Sequence, residues 1–196
     1  MTYLLCRIVA AGIVVLSMCL SWTSRAQHHT VSIEVAGGAS AGAYERANSG
    51  VRFAPQPTYH ITVGYAPISL LGVYVSYAQD SFGCEVGFCQ DADVSFTSTG
   101  FGVGLRLGRA QRGGLWLQVG AAYKSLETQA GETFTRQSDP AWGGEASLGV
   151  ALSLTRWLKL VPAVRYIRYD ITEEDNNIPR VGVVVVTGEM GLRIAF

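Results

Sequence analysis

The sequence predicts an all-β protein: eight antiparallel strands closed up-and-down into a transmembrane β-barrel. Three observations carry this reading. Apolar residues recur with period two over eight separate segments, the mark of strands with two different faces. No stretch shows a convincing helical spacing of apolar residues, and after residue 26 none has eighteen consecutive apolar residues, so no helix is expected to cross a membrane. Charge is sparse: 15% of residues are charged while 48% are hydrophobic, against roughly 25% charged in a soluble domain.

The composition also excludes classes. Lys+Arg 15 against Asp+Glu 15 rules out a basic nucleic-acid binder. The apolar and aromatic content rules out a disordered chain. The 23 glycines show no three-residue period, which rules out collagen.

Residues 1–26 have the three-part layout of a cleaved secretory signal peptide. Arg7 supplies the positive charge, Ile8 to Leu20 the apolar run, and Ser24-Arg25-Ala26 the cleavage site. The apolar run is thirteen residues, too short for a bilayer-spanning helix. Cys19 follows an apolar run as in a lipoprotein, but Met18 before it is not small. The domain is therefore expected over 27–196. Removing 26 of 196 residues leaves 170, and losing Arg7 and Arg25 takes 15 basic residues to 13 against 15 acidic. Cys84 and Cys89 remain, five apart in an exported chain, where a local disulfide is the expectation.

The strands follow in order. Val31, Ile33 and Val35 alternate with Ser32, Glu34 and Ala36. Tyr59, Ile61, Val63 and Tyr65 alternate with His60, Thr62, Gly64 and Ala66. Leu71, Val73, Val75 and Tyr77 alternate with Gly72, Tyr74, Ser76 and Ala78. Phe101 to Leu107, Leu115 to Tyr123 and Trp142 to Leu152 repeat the pattern. Leu158 to Tyr169 is the least regular, and Pro162 removes a ladder hydrogen bond, so a bulge is expected there. Val184 to Phe196 is the clearest. The connections alternate in length. Those at Ala66–Ser69, Arg109–Gly114 and Ser153–Arg156 are short; those at Glu45–Gln56, Asp80–Ser95, Glu127–Pro140 and Asp170–Arg180 are long and polar. An even strand count puts both termini at the short-turn end.

The polar face is mostly Gly, Ala, Ser and Thr with a few charges of both signs, which suits a narrow lumen. A lumen charge network is expected among Glu34, Glu145 and Glu189 with Arg106, Arg165 and Arg193, giving a plugged barrel. Placing those groups outward would cost roughly 2–4 kcal/mol for each Arg near the midplane. Aromatic belts are expected from Tyr44, Tyr59, Tyr77, Phe96, Tyr123, Trp142 and Tyr169 at the long-loop end, and from Trp157 and Phe196 at the other.

The ending Met190-Gly191-Leu192-Arg193-Ile194-Ala195-Phe196 resembles the C-terminal signal of outer-membrane barrels. With the signal peptide and eight strands, the mature chain resembles the small OmpA-like and OmpX-like barrels. The resemblance implies a bacterial outer membrane, lipid and lipopolysaccharide around a monomeric barrel, and no catalysis. It also implies that the barrel-assembly machinery reads Met190, Leu192, Ile194 and Phe196.

Residues suited to chemistry are few. Some barrels of this size modify lipid A, using a histidine that this chain does not match. His28 and His29 adjoin the cleavage point, and His60 faces inward with no Ser and carboxylate grouped around it in sequence. The acids Asp80, Glu85, Asp91 and Asp93, and Asp170, Glu173, Glu174 and Asp175, read as solvated loops without a full calcium-loop pattern. Gly100-Phe101-Gly102-Val103-Gly104 lies in a strand with no following helix, so it is no nucleotide loop. No catalytic residue, cofactor or metal is expected. The expected function is a non-enzymatic structural or surface-interacting barrel with four exposed loops. A narrow solute channel is the alternative, motivated by a Gly- and Ala-rich lumen; a soluble lipocalin-like carrier is a third reading, against which the low charge argues.

Overall fold

The computed structural model describes residues 29–45, 52–86, 94–108, 113–130, 134–171 and 181–196. The expected signal peptide at 1–26, Cys89, and the acids at 91, 93 and 173–175 lie outside them. The strands are β1 (Thr30–Glu45), β2 (Arg52–Ile68), β3 (Leu71–Val86), β4 (Val94–Gly108), β5 (Gly114–Ala130), β6 (Phe134–Gln137), β7 (Ala141–Ser153), β8 (Leu158–Ile171) and β9 (Val181–Ala195). Every pairing is antiparallel between sequence neighbours, and β1 with β9 closes the ring. β6 and β7 both pair with β5 and together form one barrel strand, so the barrel has eight. Between them the register slips by one residue, from Glu127↔Gln137 to Lys124↔Ala141. The slip falls at Ser138-Asp139-Pro140, where proline lacks the N–H a ladder needs. The start of β1 and the end of β9 lie together at the short-turn end, where Phe196 N–H donates to Val31 O at 2.9 Å.

Stagger sets the barrel's width. Register partners followed once around run Ile33, Val63, Val75, Val103, Ala121, Gly144, Arg168, Val184 and back to β1 at Ala43, ten residues further on. Eight strands with that stagger tilt by about 40° and enclose room for side chains only.

The bulge expected at Pro162 does not form. β8 keeps one register with β7, and the ladder only lapses opposite Val161 and Pro162 before resuming at Leu160. Pro162 stays paired with Met190 on β9, so one missing donor interrupts a single ladder without adding a residue. The irregularities lie elsewhere, mainly on β2, between Pro55 and Thr58 and between Tyr65 and Ile68. Pro55, Pro57 and Pro67 sit in or beside those stretches.

The strands are also longer than the alternation of apolar outward residues suggested. β3 runs to Val86 and β5 to Ala130, well into segments read as loops. The reason is an inversion of polarity along each strand. Near the short turns the outward residues are apolar, as with Val73, Val75, Val103 and Leu105, and the inward ones polar. Beyond Tyr77 and Phe101 toward the long loops, Gln79, Ser81, Thr97, Thr99 and Ser125 face outward. Phe82, Phe96 and Leu126 there face inward and are buried. The end section is an ordinary water-facing barrel with an apolar interior, continuous with a section whose exterior is apolar.

Candidate functional site

The lumen is filled in tiers. Nearest the short turns, Glu34 of β1 holds two guanidiniums. Its Oε2 accepts from Arg193 Nε at 2.8 Å and Nη2 at 2.6 Å, and from Arg106 Nη2 at 3.2 Å. Arg106 Nη2 also donates to Gln118 Oε1 at 2.8 Å. The buried Trp116 ring lies against both, with the Arg106 and Arg193 guanidinium carbons 4.9 and 5.2 Å from its centroid. Two cations sharing one carboxylate are partly offset by that ring's negative face.

In the middle tier Glu145 accepts a 2.6 Å bond from Tyr74 OH. Glu189 lies 3.7 Å from Arg165 Nε and 3.5 Å from His60 Nδ1, contacts longer than good hydrogen bonds. His60 Nε2 and Thr62 Oγ1 are hydrogen-bonded at 3.0 Å. Above this, Asp80 is fully buried. It accepts from Arg165 Nη2 at 2.8 Å, Lys124 Nζ at 3.2 Å and Thr58 Oγ1 at 2.6 Å.

The six residues named from the sequence thus all point into the lumen and are buried. Glu34, Arg106 and Arg193 come together, as do Arg165 and Glu189, while Glu145 pairs with tyrosine. Asp80 and Lys124 were missed. Asp80 reads as a loop acid next to Ser81, and its inward position shows only once β3 is known to extend past it. His60 does have a carboxylate and a hydroxyl neighbour, brought by β9 and by its own strand.

Toward the long loops the lumen ends in an apolar plug. Phe82, Phe96, Ala122, Leu126, Ile167, Tyr169, Ile171, Val183 and Val185 form one buried cluster from β3, β4, β5, β8 and β9. Phe96 and Tyr169, expected in an aromatic belt, therefore belong inside; Tyr169 OH donates to Ser98 Oγ at 2.8 Å. The glycines of the polar face leave no gaps either. A Cβ on Gly149 would stand 2.5 Å from Trp116, and one on Gly120 would strike the Tyr74 hydroxyl.

The exterior carries the aromatic belt. Tyr77, Phe101, Tyr123 and Trp142 are register partners on β3, β4, β5 and β7, with Tyr59 beside Tyr77. Tyr77 and Phe101 rings are 5.4 Å apart, Tyr123 and Trp142 rings 5.0 Å. Trp157 and Phe196 are exposed at the opposite end. On β5 the outward apolar run from Leu115 to Tyr123 gives a band of about 20 Å at this tilt, close to that of a transmembrane barrel. Of the ending motif, Met190, Leu192 and Phe196 are exposed outward and Ile194 half-buried. Cys84 lies on β3, but its side chain and Cys89 are outside the description, as is the Tyr44 side chain. Among the described residues no group of three metal-ligating side chains occurs.

Architecture and surface together define a closed eight-stranded transmembrane β-barrel with the fold of the small outer-membrane barrels. Solved structures agree. Neisserial surface protein A matches with TM-score 0.56 at 16% identity, over 86% of this chain and 97% of that one. AlkL, solved in DMPC lipid bilayers, matches with TM-score 0.53 at 14% identity, over 89% and 94%. Ail, the attachment invasion locus protein of Yersinia pestis, matches with TM-score 0.52 at 16% identity, over 85% and 98%; it has also been solved with the heparin analogue sucrose octasulfate. No family model and no curated protein matches the sequence.

Proposed function

We propose that this chain is exported by a cleaved leader at 1–26 and resides in a bacterial outer membrane. There it acts as a sealed, non-enzymatic barrel whose long-loop end meets the surroundings. One observation carries the reading: the apolar plug centred on Phe82, Phe96, Leu126 and Tyr169, built from five strands, fills lumen on the long-loop side of the charged tiers. Water and ions need a polar path, and this cluster interrupts it. The glycines that motivated a channel are filled by Trp116, Tyr74 and Glu145. The same packing argues against catalysis by His60, because Thr62, His60 and Glu189 are all buried between plug and Trp116. Activity then belongs to the long-loop end, as loops on a rigid scaffold commonly carry function. The names of two similar structures, a surface protein and an attachment protein, support a surface role. Planar-bilayer recording of the refolded barrel tests this. No stepwise conductance is expected; reproducible steps would overturn the sealed reading and favour a narrow channel.

A further inference from the structure

The short-turn end of the lumen carries more positive charge than its carboxylates balance. Arg106, Arg193 and Lys159 face inward there and are buried, and among the described residues Glu34 is the one acidic side chain at their level. Glu34 is already shared by the two guanidiniums. Lys159 pairs in register with Arg193 and is only 3% exposed, yet no hydrogen bond or ion pair reaches its ammonium. The carboxylate that ends the chain makes no ion pair with it either. A cation enclosed beside other cations is costly unless a counter-charge joins it.

Unpaired donors gather at the same end. Ser32 Oγ and Trp116 Nε1 are buried and have no hydrogen-bond partner. Arg106 donates from Nε and Nη2 to Gln118 and Glu34, and its Nη1 is unbonded. A Cβ on Gly64 would stand 2.9 Å from Ser32 Oγ and 3.7 Å from Arg106 Nη1, so hydroxyl and guanidinium border one small space. The Trp116 ring lies against both guanidiniums and packs with Val161, two residues from Lys159 on the same face of β8. We propose that this end of the lumen binds one small oxyanion of the phosphate class, held by Lys159, Arg106 Nη1, Ser32 and Trp116. All four groups can donate, and two bring charge-assisted bonds. They come from β8, β4, β1 and β5, so a ligand with several acceptor oxygens satisfies more of them than a single-atom ion does. Lys159 is the first inward residue of β8, so the site opens toward the short turns, away from the apolar plug. It is independent of whatever the long loops meet.

The test uses residues 27–196, refolded in a zwitterionic detergent with isotope-labelled tryptophan. Trp22 lies in the expected leader, which leaves Trp116, Trp142 and Trp157, each with its own indole N–H resonance. Sodium phosphate is titrated against sodium chloride at constant ionic strength. The Trp116 resonance should move and saturate while those of Trp142 and Trp157 stay in place. Lys159→Met should weaken the apparent affinity about tenfold, the scale of one charge-assisted hydrogen bond. Ser32→Ala should weaken it about threefold, the scale of a neutral one. Arg156→Gln, in the exposed turn at the same end, should leave it unchanged. If Lys159→Met fails to fold, Ser32→Ala decides alone. A Trp116 resonance that stays in place, a shift that never saturates or is common to all three tryptophans, or a Lys159→Met barrel that binds phosphate as the parent does, overturns the site.

Discussion

Replacing Glu34 by Leu removes the carboxylate on which Arg193 and Arg106 converge. Its Oε2 accepts three hydrogen bonds, of 2.6, 2.8 and 3.2 Å, from those two guanidiniums. Arg193 is fully buried and Arg106 nearly so, which leaves little water to take over. Breaking a buried pair by deleting one partner costs about 3–5 kcal/mol, because the remaining charge loses its counter-ion. The Trp116 face returns part of this, so a loss of about 3 kcal/mol is expected. Glu189 gives the contrast: its contacts stand at 3.5 and 3.7 Å, and Glu189→Gln should cost about 1 kcal/mol or less. Urea unfolding of each variant in one detergent, followed by tryptophan fluorescence and by the mobility shift of the folded band, gives the two losses. Arg106→Met on the Glu34→Leu background should recover part of the loss by removing one orphaned charge. A Glu34→Leu barrel within about 0.5 kcal/mol of the parent, or one no worse than Glu189→Gln, would refute the reasoning about the shared carboxylate.

Further outcomes follow from the same geometry. Val103→Arg, outward in the apolar band, should cost about 2–4 kcal/mol in lipid; Thr97→Arg, outward beyond the belt, should stay within about 0.5 kcal/mol in the same unfolding assay. Gly149→Val pushes a side chain into Trp116 and the Pro162 carbonyl, so about 1–3 kcal/mol is lost and Trp116 emission shifts. Phe96→Ala should cost about 3–5 kcal/mol by opening a cavity in the apolar plug, measured by the same titration. Phe196→Ala should leave equilibrium stability nearly unchanged, since Phe196 is 73% exposed, while slowing assembly measured by pulse-labelling in cells.

The section within the apolar band was legible from the residues. Outward Val, Ile and Leu against inward Gly, Ser and Thr give period two at full strength, and Glu34, Glu145, Arg106 and Arg193 fell on the inward face at once. Legibility failed where the solvent outside changes. Phe82, Phe96, Leu126 and Ile171 alternate just as regularly with polar neighbours, but in the opposite sense. A reader tracking apolar-outward residues loses the strand there and finds a polar loop. Asp80 was lost for that reason, and with it the tier it organises. Phe96 and Tyr169 went to the wrong face by the same error. Pairing across the barrel is a separate matter. Nothing local says that Glu34 meets Arg106, 72 positions away; the ten-residue stagger decides it. Pro162 shows the opposite failure, where a local rule predicted a bulge that a ladder on the other side of β8 absorbed.

One wall is expected to separate lipid, water and a sealed lumen, with the outside changing from lipid to water along each strand. A nitroxide scan along β4 in liposomes tests it most directly. Labels at 101, 103, 105 and 107 should be reached by oxygen and not by a water-soluble nickel reagent. Those at 95 and 97 should be reached by nickel. Labels at 96 and 98, inside the barrel, should be reached by neither. Nickel access at 96 and 98 would contradict the seal, and nickel access at 101 to 107 would contradict the bilayer itself.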